Sequence, residues 1–483
     1  MIKYVGAVPR KFSDCTGYSD DKVAKYFGGD RTLSESKVVE LLVSTSFGAN
    51  SILYAVWLGY VMGMWAMLIH FAWCMSFLGI ARYSKQIYIH TSIHDFLSCH
   101  FGTTVKKVSA ICSCVGLLYF TGWEIAIAKS SLESFVEQSA FGRPWLWSTL
   151  IVVTVLIALL YTVVGGQRAN GYVNLVVNRV KIALLGIVII SIIYALHSGT
   201  NFTTSVEMPS FSSAIKNIGL VGLITNIFIN FFWQFVDNSS WQIISAGCVS
   251  ENSNSDKALI RAGCRIFLIY AGETFIGASL RSISGLDSNS ILSGLPHILG
   301  ALGSKVIIPC IVILVLLSMM SLVDGMALSV AQTFMIDLKI DRKANPSSDN
   351  RQSSIDFARV LTAALGVLGA MGIQVMLFCF GKSIFDFVYV FTLVQLSLIG
   401  PVIVGLVFRP QYIPRMWSSI VISLVLGFSF SILSAVCGVQ WIGDAAATVT
   451  AICSLLISFL LYMINAKGNK PFPRIACFVN TKE

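Results

Sequence analysis

The sequence predicts an all-α membrane protein with about twelve transmembrane helices, and three observations carry that expectation. Of 483 residues, 55% are hydrophobic and 12% charged, with a mean hydropathy of +0.76. An ordinary soluble domain is about 25% charged, because a water-facing surface needs charge. Apolar runs of about 20 residues, the length that crosses a bilayer core about 30 Å thick, recur along the chain. The Lys and Arg residues alternate across those runs, as the positive-inside rule orders them in short loops.

Taken in order, the runs lie near 39–60, 62–82, 107–128, 146–165, 173–196, 217–236, 258–280, 306–335, 356–380, 384–408, 416–437 and 443–465. Only the region Gly59–Gly63 separates the first two. Allotting the basic residues to the loops places 28 of the 34 Lys and Arg with the two termini and 5 on the opposite side, with Lys129 inside span 3. Both termini are therefore expected in the cytoplasm of a multi-pass cell-membrane protein with an even number of spans. The same distribution accounts for the net charge of +10 without a nucleic-acid partner. Residues 1–38 hold no apolar stretch of a cleavable signal, so the first span is expected to direct insertion. They read as a cytoplasmic segment, and 467–483 as a cytoplasmic tail. The twelve cysteines are scattered, and Cys112 and Cys114 read as small buried hydrophobes rather than metal ligands.

Ionisable groups inside apolar spans are costly and mark function. Here they are His70, Glu124, Lys129, Asp237, Glu273, Asp324 and Asp386. Two have structural readings as well: Asp386 stands near a span entrance, and Glu124 and Lys129 are close enough in one span to pair loosely. Span 1 also carries Ser44, Thr45, Ser46, Gly48, Asn50 and Ser51, while span 6 carries Asn226, Asn230 and Trp233 with Asp237, Asn238 and Ser239 just beyond. Small polar residues in mid-span allow close helix packing; they also mark an unwound helix whose carbonyls bind an ion. Spans 1 and 6 are separated as the first helices of two five-helix repeats are, which divides the chain into 39–197 and 217–408, followed by helices 11–12 at 414–466.

Four stretches in order resemble the sodium/solute symporter family, the sodium-linked sugar, proline and pantothenate carriers. YTVVGGQRANGYVN (161–174) is similar to the segment leading into helix 5, and VDNSSWQIISAGCVSENSNSDKALIRAG (236–263) to the segment after helix 6. LSMMSLVDGMALSVAQTFMID (317–337) resembles the helix-8 Ser-Thr-x-Asp-Ser motif, and FDFVYVFTLVQLSLIGPVIVGLVFRP (385–410) the Gly-Pro ending of helix 10. The resemblance implies a leucine-transporter-type core of five-plus-five inverted repeats with two further C-terminal helices. It also implies a solute site between helices 1, 2, 3, 6, 7 and 10. The family's additional helix before the first core helix is missing here.

Carried over residue by residue, the resemblance implies a sodium site at the carbonyls of Ser44, Phe47 and Ser318 and the hydroxyl of Ser321, with a further ligand at Leu322. It implies solute contacts at Ser51, His70, Asn230 and Trp233; His70 stands where sugar carriers have a carboxylate. Three departures surround the sodium site. Leu322 supplies no oxygen, Gly325 replaces the second Ser of the helix-8 motif, and Asn174 stands where the family often has Asp. A hard cation needs a compact shell of oxygens, so sodium coupling is expected to be weak or absent, with Asp324 as a possible proton carrier or a uniport mechanism in its place. The expected activity is secondary transport of a small polar organic solute by alternating access, with Na+ or H+ as the coupling ion, no other cofactor and no enzymatic role. The alternative is a non-transporting membrane sensor on the same scaffold.

Overall fold

The structure, a computed structural model, describes residues 21–31, 33–133, 144–197, 209–247, 255–281, 291–294, 307–338, 348–380, 388–410 and 412–468. Asp386 and Asn201-Phe202-Thr203, a glycosylation sequon in the loop expected after span 5, lie outside the described residues. Those described are helical throughout, apart from short connections and one isolated bridge between Leu33 and Gly247.

Span 1 is two helices. α2 (Glu35–Ser46) follows a short α1 (Asp21–Gly28), and α3 (Ala49–Met62) resumes after Phe47 and Gly48 leave helical geometry. The residue types favour the break. Ser44 and Thr45 hydroxyls return to the carbonyls of Leu41 (2.8 Å) and Leu42 (3.0 Å), and such local bonds compete with helix continuation. At Gly48 a β-carbon would lie 2.6 Å from Leu322 Cδ1 and 2.8 Å from Glu124 Oε1, so a larger residue would have to displace these side-chain ends. Gly63 at φ 64° then turns the chain into α4 (Met67–Ala81), in the left-handed region where glycine carries no penalty. Two short helices, α5 (Ser84–Ile89) and α6 (Ile93–Phe101), lead to the long α7 (Thr103–Glu133).

α8 runs from Pro144 to His197 with a break at Gly166 (φ 57°). Its apolar stretch Trp145–His197 is 53 residues, about 80 Å at 1.5 Å per residue, far more than one bilayer crossing and enough for two. The break also answers to the N-terminal segment. A β-carbon at Gly166 would lie 2.2 Å from the Tyr26 carbonyl oxygen, and the Tyr26 hydroxyl donates to the Thr162 carbonyl (3.1 Å) and Thr362 Oγ1 (3.3 Å). Gly166→Ala should therefore destabilise the protein by about 1–3 kcal/mol. Gly186→Ala, whose added methyl meets nothing within 4 Å, should stay within about 0.5 kcal/mol. Melting temperatures of the two purified variants check this, and equal values would remove the Tyr26–Gly166 contact from the account.

Span 6 begins later than its apolar run suggests. α9 (Phe211–Ile218) meets α10 (Leu220–Val236) at 86° across Gly219 (φ 78°). α10 ends at Asp237, and α11 (Asn238–Ala246) continues beyond it. Next come α12 (Ser255–Leu280), α13 (Ile308–Gln332, extended by a π turn over Thr333–Asp337) and α14 (Ser348–Phe380). Span 10 is again two pieces, α15 (Val388–Leu396) and α16 (Ile399–Phe408), before α17 (Trp417–Cys437) and α18 (Gln440–Gly468). Among the described residues, 7 helices are long and apolar enough to cross a membrane, or 8 if the bent pair α9–α10 is one span; two of the 7, Ala49–Ala81 and Trp145–His197, each join two expected spans.

Burial separates centre from periphery. The apolar windows of α7 and α13 are 78% buried, while that of α17 is 22% buried. Exposed Val360 and Leu368 on α14, Val425 and Ile432 on α17, and Leu456 and Leu460 on α18 give the outer helices an apolar surface, which suits lipid and not water. Four charge assignments made from sequence change. Lys129 pairs with Glu133 (3.7 Å) one turn on, in a half-exposed position, and not with Glu124. Lys181, allotted to a loop, lies within α8 and is fully buried; Arg261 and Arg265, also allotted to a loop, lie on α12, where they pair with Glu35 (2.5 Å) and Glu40 (2.6 Å) of α2.

Candidate solute and cation site

A broken helix exposes N–H groups where it resumes and carbonyls where it stops, and each needs a partner once buried. At the α2/α3 break both sets are met by side chains from other helices. The Glu124 carboxylate, from α7, accepts the backbone N–H of Ala49 through Oε1 and that of Asn50 (3.1 Å) through Oε2. It thus places negative charge at the N-terminus of α3, the favourable end of the helix dipole. On the other side, the Lys181 ammonium donates to the Phe47 carbonyl (2.9 Å) and to Ser321 Oγ (2.8 Å), and lies 4.6 Å above the Phe47 ring. Tyr270 donates its hydroxyl to the Ser46 carbonyl (2.7 Å).

The sodium-type residues from sequence converge on this place. Phe47 and Ser321 share Lys181 as their partner, and the Ser321 hydroxyl also donates to the Ser318 carbonyl (3.1 Å). Ser44 and Ser318 are buried beside them, and Leu322, 1% exposed, presses its Cδ1 toward Gly48 where a hydroxyl was sought. Asp324, one turn further on α13, accepts from the Tyr161 hydroxyl and from Asn174 Nδ2 (3.1 Å), while its Oδ1 has no hydrogen-bond partner. Asn174 therefore serves Asp324 directly. A narrow cavity lined by Ser44, Thr45, Asn174, Gln242, Asp324 and Ser329 reaches this carboxylate.

Aromatic neighbours link the four solute-site residues. His70 packs between Tyr54 (ring centroids 6.4 Å) and Tyr270 (4.8 Å), and neither of its nitrogens has a hydrogen-bond partner. Tyr54 donates to Asn226 Oδ1 (2.5 Å), and Asn230 donates to the Asn226 carbonyl (2.7 Å) one turn back on α10. Trp233 stacks on Trp73 (6.1 Å, 19°), which in turn meets Tyr270 edge-on (6.2 Å). Ser51, in the first turn of α3, donates to the Gly48 carbonyl (2.8 Å) and interacts with Tyr270. α3, α4, α10 and α12 thus pack an aromatic cluster around a buried imidazole without hydrogen-bond partners. Tyr54, Trp73 and Tyr270 were missed from sequence because aromatic residues in apolar spans look like core.

Asp237 has a structural duty. Its carboxylate caps α11, accepting the backbone N–H groups of Ser239 (3.1 Å) and Ser240 (3.2 Å) together with both hydroxyls. Glu273 on α12 is fully buried, and neither of its oxygens has a hydrogen-bond partner. Away from the spans, His90, Asp95 and Cys99 hold ligand-type atoms within 4.8 Å. Asp95 is engaged there as a cap, accepting from the Thr91 N–H (3.4 Å) and donating its own to Ser92 Oγ (3.1 Å).

No protein-family model and no curated protein sequence matches the chain. Solved structures do. A Na+-coupled sialic acid symporter in a substrate-bound, outward-open state superposes with a TM-score of 0.66 at 14% identity, over 92% of this chain and 94% of that one. Mhp1, a nucleobase-cation-symport-1 family transporter, matches in a closed conformation with bromovinylhydantoin bound (TM-score 0.61, 15% identity, 93% and 96% covered). Its inward-facing conformation matches as well (0.58, 14%, 91% and 92%). The chain is thus an all-helical membrane protein with the leucine-transporter-type fold of cation symporters, and these neighbours are transporters rather than enzymes.

Proposed function

We propose that the chain is a secondary active transporter that carries a small polar organic solute across the cell membrane by alternating access. It is of sodium/solute symporter type, with repeats at 39–197 and 217–408, both termini cytoplasmic, and weak or absent dependence on sodium. The observation that carries this reading is the buried imidazole of His70 in the aromatic cluster beside the broken helix α2/α3. A buried imidazole without hydrogen-bond partners is costly unless something visits it, and His70 lies in a cluster with Tyr54, Tyr270, Trp73 and Trp233. The neighbours' outward-open, closed and inward-facing states support a rocking cycle around such a site. Ser51, His70, Asn230 and Trp233 are taken as solute contacts. The place at Ser44, Phe47, Ser318, Ser321 and Leu322 is taken as a degenerate cation site, and Asp324 as the proton carrier if coupling is retained.

Uptake into proteoliposomes with an inward sodium gradient, an inward proton gradient or neither tests this. Solute accumulation should respond to the proton gradient or to neither, and by less than about twofold to sodium. Strong stimulation by sodium alone, abolished in Ser321→Ala, would restore ordinary sodium coupling. Specific solute binding without any uptake would favour the sensor.

A further inference from the structure

Resting on the carrier reading, we propose that Lys181 is a tethered replacement for the coupling cation: its ammonium stands permanently between the α2/α3 break and α13, so the chain takes up no Na+ there. The positions that the resemblance assigns to sodium are oxygens from these two elements. Lys181 Nζ is at hydrogen-bond distance from one oxygen on each, the Phe47 carbonyl (2.9 Å) and Ser321 Oγ (2.8 Å). It carries the same single charge as the ion and makes the same bridge. The end of α2 offers the negative pole of a helix, which an ammonium satisfies as an alkali ion does.

The surroundings agree. Lys181 is 0% exposed, and a buried charge is retained only where dipoles or counter-charges hold it. Here those are the Phe47 carbonyl, Ser321 Oγ and the Phe47 ring. Leu322 also becomes intelligible. An ammonium with three donors does not need the compact oxygen shell of an alkali ion, so the position of an extra hydroxyl is free to pack against Gly48. With Glu124 on the N–H groups of Ala49 and Asn50, the break carries its own cation and its own anion. A tethered cation cannot dissociate at the end of a cycle, so no sodium ion is consumed per turnover at this place.

The test uses the purified full chain and asks for Na+ binding, which needs neither the solute nor transport. Lys181→Ala opens a cation-sized vacancy at the Phe47 carbonyl and Ser321 Oγ, while Lys181→Met fills the same space without charge. Radioactive sodium binding and melting temperature in NaCl against choline chloride are measured on wild type and both variants. The expected pattern is saturable binding by Lys181→Ala only, near one ion per chain. Its melting temperature should rise by about 1–2 °C at ten times Kd, with no salt-specific change in wild type or Lys181→Met. Folding of Lys181→Ala in sodium but not in choline supports the same conclusion. Two results would overturn it: saturable sodium binding by wild type that Ser321→Ala abolishes, or folded Lys181→Ala that binds no sodium. If Lys181→Ala folds in neither salt, the wild-type measurement decides. A chain that moves no solute yet shows the expected pattern keeps the tethered cation and loses the carrier; sodium-driven uptake does the reverse.

Discussion

Glu124→Ala should cost the folded protein about 2–5 kcal/mol, since two buried N–H groups lose their acceptor at about 1–3 kcal/mol each. The groups are those of Ala49 and Asn50 at the start of α3, and Glu124 is 0% exposed. The variant leaves a cavity as well. Glu124→Gln keeps an acceptor oxygen and nearly the same volume, so it should lose less than half as much. Thermal unfolding of the detergent-purified variants reads the difference. Equal stability of wild type and Glu124→Ala would show that the α3 terminus finds another partner, and the account of the break would then fail.

Trp233→Ala and Asn230→Ala should weaken solute uptake about five- to a hundredfold in apparent affinity, the equivalent of about 1–3 kcal/mol, with folded protein still in the membrane. Trp233 is only half-buried and stacks on Trp73, so its loss removes one member of the cluster but little of the core. Asn230 donates to a carbonyl of its own helix, a bond α10 does not need for its stability. His70→Ala should act in the same direction, because neither imidazole nitrogen supports the fold by hydrogen bonding. Uptake kinetics over a range of solute concentration, normalised to surface-accessible protein, measure all three. Unchanged apparent affinity in every one would remove these residues from the solute path.

What the sequence disclosed and what it hid differ by the range of the interactions involved. The break in span 1 was legible because its causes are local: Gly48 and the hydroxyls of Ser44 and Thr45 act within a turn. The lipid-facing helices were legible because composition alone makes them apolar. The role of Lys181 was hidden, since its partners Phe47 and Ser321 are 134 and 140 residues away, and a lysine near a span end reads naturally as a loop charge. The one signal available was its position within the apolar run 173–196, where a cation is expensive. Glu124 was recognised as a mid-span carboxylate, yet its nearest basic residue in sequence was the wrong partner. Helix spacing pointed to Lys129, whereas Lys129 took the better-placed Glu133. The cluster's outline was partly legible through Asn230 and Trp233; Tyr54, Trp73 and Tyr270 were invisible because tertiary packing alone separates a site aromatic from a core one.

The glycines of α3 and α12 bear on how any such cycle could move. A β-carbon at Gly59 would lie 2.2 Å from the Thr274 carbonyl oxygen, and one at Gly277 would lie 1.9 Å from that of Val56. The two backbones touch with no side chain between them, so neither helix can roll or slide against the other without collision. α3 and α12 therefore act as a single lever. α2, by contrast, is fastened to α12 through ion pairs from Glu35 and Glu40, bonds that can part and re-form. Between lever and clasp lies the non-helical pair Phe47–Gly48, whose torsions can change without unwinding a turn, with the Lys181 ammonium on one side of it and the Glu124 carboxylate on the other.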